Sequence, residues 1–294
     1  MTFASDVIDT TSVALRRRVV PIVRAGALAR EMCRRGGRGE VAAVFTRSLY
    51  VRIGDEFLCI GEPAIGNGPL TLIAAARVSG LGLCRGEGAS ISQRGIALGD
   101  LLFGLDQCEA WPPPRWAEIP SSIPSAAICA IIARRAATQS PPDSLAHALF
   151  GANETPLARI ARPRVAQFET AMTNDGLSAN AVVGLIGLGP GLTPSGDDFL
   201  MGALALLGAL AQTKIHAALA QAVADAAPAL TSPLSACFLR AAAAGHVGKN
   251  LYDAVASVLS GNVDAAVAAA HRIGHTSGWD MLAGVATTLR IVGS

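Results

Sequence analysis

The stretch Gly187-Leu-Gly-Pro-Gly-Leu-Thr-Pro-Ser-Gly-Asp-Asp198 sets the reading of this chain. Before it, Val182-Val-Gly-Leu-Ile-Gly187 is apolar; after it, Phe199-Leu-Met-Gly-Ala-Leu-Ala-Leu-Leu-Gly-Ala-Leu210 is apolar on every helical face. A helix hydrophobic all round belongs in the middle of a bundle, and Gly202 and Gly208 would let neighbours approach closely. The glycine turn between the two runs exposes backbone N–H groups, and the helix start behind it adds positive dipole potential. Together they suit an anion, with Gly189 and Gly191 as the contacts. A dinucleotide fold fits poorly. The third glycine is misplaced, Pro190 removes a donor and no βαβ unit follows.

The motif recurs. Ser195-Gly-Asp-Asp-Phe-Leu-Met-Gly202 returns as Ser277-Gly-Trp-Asp-Met-Leu-Ala-Gly284, with serine, glycine, aspartate, leucine and glycine matched at one constant offset. Ser-x-x-Asp before an apolar run resembles a capping box, and Thr193-Pro194 is a rival cap and first helical residue. Capping explains each copy separately. Two copies favour paired helix starts facing one cleft, which makes Thr193, Ser195, Gly196, Ser277, Gly278 and Asp280 candidate ligand contacts.

Asp197 and Asp198 would repel a phosphate unless a cation intervened or they faced another part of the ligand. Carboxylates are good acceptors for the N–H groups of an amide or ureido group, so a ligand carrying both an acid and an amide satisfies loop and aspartates together. Mg²⁺ bridging is the competing use of the pair; otherwise no cofactor is expected. Lys249, in Gly245-His-Val-Gly-Lys-Asn250, is a candidate for charge stabilisation, against a helix end with a solvated lysine. That loop is not a Walker A motif, because Asn250 stands where Ser or Thr is needed. His271 and His275 are four apart, but Gly274 breaks their shared face and no third metal ligand is evident. His275 is kept as a ligand contact beside Ser277. Asn67, between Gly66 and Gly68, could present its amide to a ligand or simply make a tight turn. Ser195 lacks the G-x-S-x-G setting of a serine nucleophile.

Outward from this centre, the texture changes twice. Val41–Phe45, Ser48–Ile53 and Glu56–Ile60 read as strands, the last two joined at Gly54-Asp55, and Ile96–Gly104 as a further strand. Gly61–Pro69 is a turn-dense loop. Between Trp111 and Pro142, Pro112-Pro-Pro114, Pro120, Pro124 and Pro141-Pro142 mark a connector holding a short helix near Ala126–Ala137. Helices are expected at Ser144–Phe150, Arg164–Asn174, Asp197–Gln212, Ile215–Ala226, Ser232–Ala244, Leu251–Leu259, Val263–Ile273 and from Ser277. The expectation is an α+β protein: a β-rich N-terminal domain over 1–118, a mostly helical C-terminal domain over 119–294, and the site between them.

The 294 residues suffice for a full core. Hydrophobic residues at 51% and charged residues at 16% exclude disorder. A net charge of +2 and only 4% aromatics argue against nucleic acid. The arginines at 16, 17, 18, 34, 35 and 38 then read as solvated faces. The N-terminus has no signal-peptide pattern and the apolar runs are too short or broken to span a membrane. Six scattered cysteines without a CxxC pair suit reduced, mostly buried thiols in a cytoplasmic protein.

Gly187–Gly202, together with Ile65-Gly-Asn-Gly-Pro69 and Gly274-His-Thr-Ser-Gly278, resembles the AllH family, over roughly residues 40–290. That family includes a subunit of oxamate carbamoyltransferase. The resemblance implies reversible carbamoyl transfer between oxalurate and phosphate, giving oxamate and carbamoyl phosphate, in purine-degradation nitrogen metabolism. It also implies other protein subunits as partners. Every reactant is a small carboxylate, amide or phosphate.

Overall fold

The computed structural model describes residues 17–112, 115–116, 125–173 and 179–293. The expected division at 118/119 lies outside them, as do Arg16, Pro113, Pro114, Pro120, Pro124 and the end of the helix expected to reach Asn174. The chain is mixed α+β, with a sheet over 18–111 and helices over 125–292.

The sheet contains β1 (Arg18–Gly26), β2 (Gly37–Val44), β3 (Ser48–Ile53), β4 (Glu56–Gly61), β5 (Thr71–Ala74), β6 (Gly88–Ser92), β7 (Gly95–Leu98), β8 (Leu101–Gly104) and β9 (Glu109–Trp111), with α1 (Ala27–Arg35) between β1 and β2. The order is β5-β4-β3-β2-β6-β7-β8-β1-β9, and an extra β1–β5 pairing closes the sheet into a barrel with β9 added outside. Closure is made by one long strand: Arg18–Pro21 runs parallel to β8, and Ile22–Ala25 runs antiparallel to β5 across a bulge. Barrels remove the unpaired edges that make open sheets aggregate. Ile96–Gly104, expected as one strand, is a hairpin of β7 and β8. Gly99 (φ 51°) takes the left-handed conformation that turns the run back at Gly99-Asp100. β4 and β7 lie buried on both faces or nearly so, which is why they read as apolar runs without alternation.

The helical half comprises α2 (Ser125–Gln139), α3 (Leu145–Phe150), α4 (Pro156–Thr173), α5 (Ala179–Val183), α6 (Ser195–Ala209), α7 (Thr213–Leu230), α8 (Pro233–Ala243), α9 (Lys249–Leu259), α10 (Val263–His271) and α11 (Ser277–Val292). α4 begins earlier than Arg164 and runs through Pro163. A proline inside a helix forfeits one backbone bond, and the neighbouring Arg162 ties the same region to the Ala148 and Gly151 carbonyls. Among the described residues no helix is long and apolar enough to cross a membrane. Four cysteines (Cys33, Cys59, Cys129, Cys237) are buried, and all six are free.

α6, buried at nearly every position, is the centre of the bundle and packs chiefly against α11. Glycine makes that contact possible. A Cβ on Gly202 would stand 2.0 Å from the Met281 carbonyl oxygen, and one on Gly284 would stand 2.0 Å from that of Phe199. These partners are themselves equivalent positions of the two motif copies, so the helices cross about a local two-fold axis. Gly284→Ala should therefore force the helices apart at a cost of about 3 kcal/mol, the upper range for overpacking. Urea denaturation against Gly80→Ala, whose Cβ meets nothing within 4 Å, would measure it. Equal midpoints would refute the crossing.

α8 joins the halves. Leu234, Cys237 and Ala241 enter the barrel core while Ala236, Leu239 and Ala242 enter the bundle core. The turn-dense loop after β4 is the second joint. The Pro69 carbonyl accepts the Ala29 N–H at 3.0 Å, and the Asn67 carbonyl accepts the Lys249 N–H at 2.8 Å.

Candidate functional site

A cavity of about 300 Å³ lies at this seam. Its walls come from the barrel (Ser48, Tyr50, Cys59), from the Gly66–Thr71 loop, from the start of α6 and α11 (Thr193, Asp198, Ser277, Met281) and from α8 to α9 (Phe238, His246, Asn250, Leu251).

Both motif copies begin their helices differently from a capping box. Pro194 and Thr276 are the cap positions, neither makes a side-chain cap bond, and Ser195 and Ser277 are the first helical residues. This corrects both capping placements. Proline has no capping oxygen, and the serines turn across the two-fold instead. The Ser277 hydroxyl lies beside Asp198 and the Ser195 hydroxyl beside Asp280, each favouring the charged form of the other copy's carboxyl. Ser277 Oγ also meets Thr193 Oγ1 at 3.3 Å.

The neighbouring aspartates have opposite surroundings. Asp197 is fully buried; its Oδ1 accepts the Gly187 N–H at 2.8 Å and its Oδ2 accepts hydroxyls from Ser235 at 2.6 Å and from Thr231. It ties the glycine turn to the start of α8, and its oxygens are occupied within the fold. Asp198 is equally buried but faces the cavity, and neither oxygen completes a hydrogen bond. Burial pushes its carboxyl well above the ordinary carboxylate range. The Ser277 hydroxyl opposes that rise, Asp280 and Asp197 add to it, and Thr193 opposes it.

Asp280 lies on the other side of the helix pair, away from the cavity wall. Its Oδ1 accepts the Ala146 N–H at 3.1 Å. Burial raises its pKa to about 7, against the Ser195 hydroxyl and the backbone N–H groups of Ala146 and Leu145, which lower it. A folded-state value above the unfolded one of about 4 means the native state holds the proton more tightly. The stability this confers is complete below pH 4 and declines as pH rises towards 7. Guanidinium melts of Asp280→Asn should lack that part of the decline. A variant tracking the parent across pH 4–7 would refute it.

Of the other expected contacts, Asn67, Thr193 and Ser277 line the cavity with Asp198. Gly189 and Gly191 do not. They sit in the surface turn with φ of 106° and 99°, and the Gly187 N–H of that turn is committed to Asp197. The proposed anion cradle is thus partly consumed by the fold. Ser195 is buried on the Asp280 side. Gly196 and Gly278 serve close packing, since a Cβ there would meet the Leu185 and Ala270 carbonyl oxygens at 2.0 and 1.9 Å. Lys249 is turned outward into an exposed pair with Asp253 at 2.8 Å. His275 is exposed, 3.9 Å from the Asp143 carboxylate. Neither side chain reaches the cavity wall.

Several wall residues carried no usable signal in the sequence. His246 contributes an imidazole whose Nδ1 is buried without a partner; only its place in a glycine-rich loop hinted at it. Tyr50 and Cys59 come from neighbouring strands that read as core. Burial pushes the Cys59 thiol up to about 12 and raises the Tyr50 phenol too, so both remain neutral donors. Asn250 shares its amide with Arg272. Among the described residues, no cluster of three or more His, Cys, Asp or Glu is placed to hold a metal ion.

Barrel, bundle and seam together define a mixed α+β protein with a cavity at the junction of its halves. The family described as oxamate carbamoyltransferase subunit AllH matches residues 185–289, the span containing both motif copies and the helices between them. No curated protein and no solved structure matches the chain.

Proposed function

We propose that this chain is the substrate-binding component of a carbamoyltransferase that acts on oxalurate or oxamate and carbamoyl phosphate, in purine-derived nitrogen metabolism. The observation that carries the reading is Asp198, a wholly buried carboxyl on the cavity wall, with the Ser277 and Thr193 hydroxyls beside it and no hydrogen bond completed. A buried polar group without a partner costs of order 1–3 kcal/mol, and such a cost persists where a ligand repays it. The family match supports the assignment to a multi-subunit enzyme. We assign no cofactor. Mg²⁺ is the alternative, with Asp198 as the one carboxylate among the described cavity residues.

A second reading, a non-catalytic binding or scaffold subunit, gains from the charge of the cavity. Among the described wall residues there is no lysine or arginine, so a phosphate would take its cation from a partner subunit. A stand-alone amide hydrolase finds no such support. The test is phosphorolysis of oxalurate by the chain reconstituted with its partner subunits. Asp198→Ala should lower turnover about 100-fold, as leaving a buried donor of the ligand without its acceptor allows. Turnover unchanged by the substitution would reject the catalytic reading, and turnover without this chain would reject both.

A further inference from the structure

The charges and acceptors of the cavity are lopsided. Asp198 is the one carboxyl among the described wall residues, and no lysine or arginine stands among them. Beside it are the Thr193 and Ser277 hydroxyls, 3.3 Å apart, both on the wall and both favouring its ionised form. A hydroxyl that turns its proton back to a carboxylate shows its lone pairs on the other side. The two hydroxyls therefore carry the negative charge of the covered carboxyl out to the cavity as a pair of acceptors. The other side adds aromatic faces. Tyr50 and Phe238 line the wall with ring centroids 6.0 Å apart, edge to face. Acceptors backed by a buried negative charge, next to aromatic rings, make a setting for a cation rather than an anion.

We propose that the cavity holds one organic cation, an alkylammonium or guanidinium group, on the Thr193 and Ser277 hydroxyls, with Asp198 behind them as its counter-charge. This rests on reading the cavity as a ligand site and goes beyond the carbamoyl chemistry, whose reactants bring no cation of their own. Two sources supply such a group: a lysine or arginine reaching in from a partner subunit, or a free small amine. A phosphate or carboxylate bound in the same space needs that cation, because the described wall provides none. In the free chain Asp198 is wholly buried, and burial, then Asp280 of α11 and Asp197 of its own helix, hold its proton on. An entering cation favours the ionised form and displaces that proton, so binding tightens as pH rises. Tyr50, Cys59 and His246 are the other titratable groups of the wall, and burial keeps the first two neutral.

Calorimetry and saturation-transfer NMR on the full chain, in amine-free buffer, test this with methylguanidine, n-butylamine, acetamide, acetate and magnesium chloride. Methylguanidine and butylamine should bind at least about tenfold more tightly than the other three. Their affinity should rise at least about tenfold between pH 5 and 8, with up to about one proton released. Asp198→Asn, which keeps the shape, should lose both the preference and the rise, which separates Asp198 from His246. Thr193→Val, which keeps the carboxyl, should weaken both cations about tenfold. Acetamide, acetate or Mg²⁺ binding as tightly as the amines overturns the proposal, as does cation affinity that is flat with pH or indifferent to Asp198→Asn, or no cation bound at all. Repeating the titration on the complex with its partner subunits distinguishes the sources. Loss of methylguanidine binding there means that a partner's side chain fills the site, and unchanged affinity means a free amine. Cation binding beside an inactive reconstituted complex sinks the carbamoyltransferase reading alone, and an active complex whose isolated chain binds no cation sinks this proposal alone.

Discussion

Asp197→Ala is expected to destabilise the chain by about 3–5 kcal/mol, since three buried donors lose their acceptor at about 1–3 kcal/mol each. The carboxylate is wholly buried and receives three donors, the Gly187 N–H, the Thr231 hydroxyl and the Ser235 hydroxyl. Truncation to alanine strands all three and opens a void at the first turn of the central helix. It also releases the glycine turn from α8, so the loss is cooperative rather than local. Equilibrium urea denaturation gives the magnitude. A double-mutant cycle with Ser235→Ala should show coupling above about 1 kcal/mol. A single-variant loss below 1 kcal/mol would mean that Asp197 is not the tie described above.

Asp198→Asn, one residue on, should act in the opposite direction. Here the native state buries a carboxyl with no completed hydrogen bond, beside two other aspartates. Its pKa is raised on folding, so the folded chain holds this proton more tightly than the unfolded chain. Stability from this group is complete below about pH 4 and declines with rising pH, by up to about 1.4 kcal/mol per unit until the folded-state pKa is passed. Asparagine removes the ionisation and with it the decline. The variant should unfold at a higher denaturant midpoint than the parent at pH 8, with the gap shrinking towards pH 5. Such a gain accompanies loss of function where an active site holds a strained group. A parent more stable than the variant at pH 8 would show that Asp198 has partners within the fold.

These adjacent residues also show how far the sequence could be read. Strands β3 and β4 were legible because a two-residue turn at Gly54-Asp55 separates two apolar runs. The central place of α6 was legible because no face of it is polar. β1 was not, since Pro21 interrupts its short apolar run and its conformation rests on pairing with β5, β8 and β9. Within the site, the repeat of Ser195–Gly202 at Ser277–Gly284 announced that two helix starts were related. It could not say that the serines turn across the two-fold rather than cap their own helices.

The sequence by itself determined the order of a β-rich half and a helical half, the buried central helix and the duplicated motif. Each of these is written in local periodicity, turn chemistry or self-similarity, which require no knowledge of distant contacts. Only the tertiary structure decided which aspartate faces a ligand. Asp197 and Asp198 differ by one step of about 100° around α6, and that step points one at α8 and the other at the seam with the barrel. It likewise moved Lys249 and His275 outward and brought His246, Tyr50 and Cys59 into the wall. What surrounds a side chain depends on segments far away in the chain, and here those segments meet only when the barrel closes against the bundle.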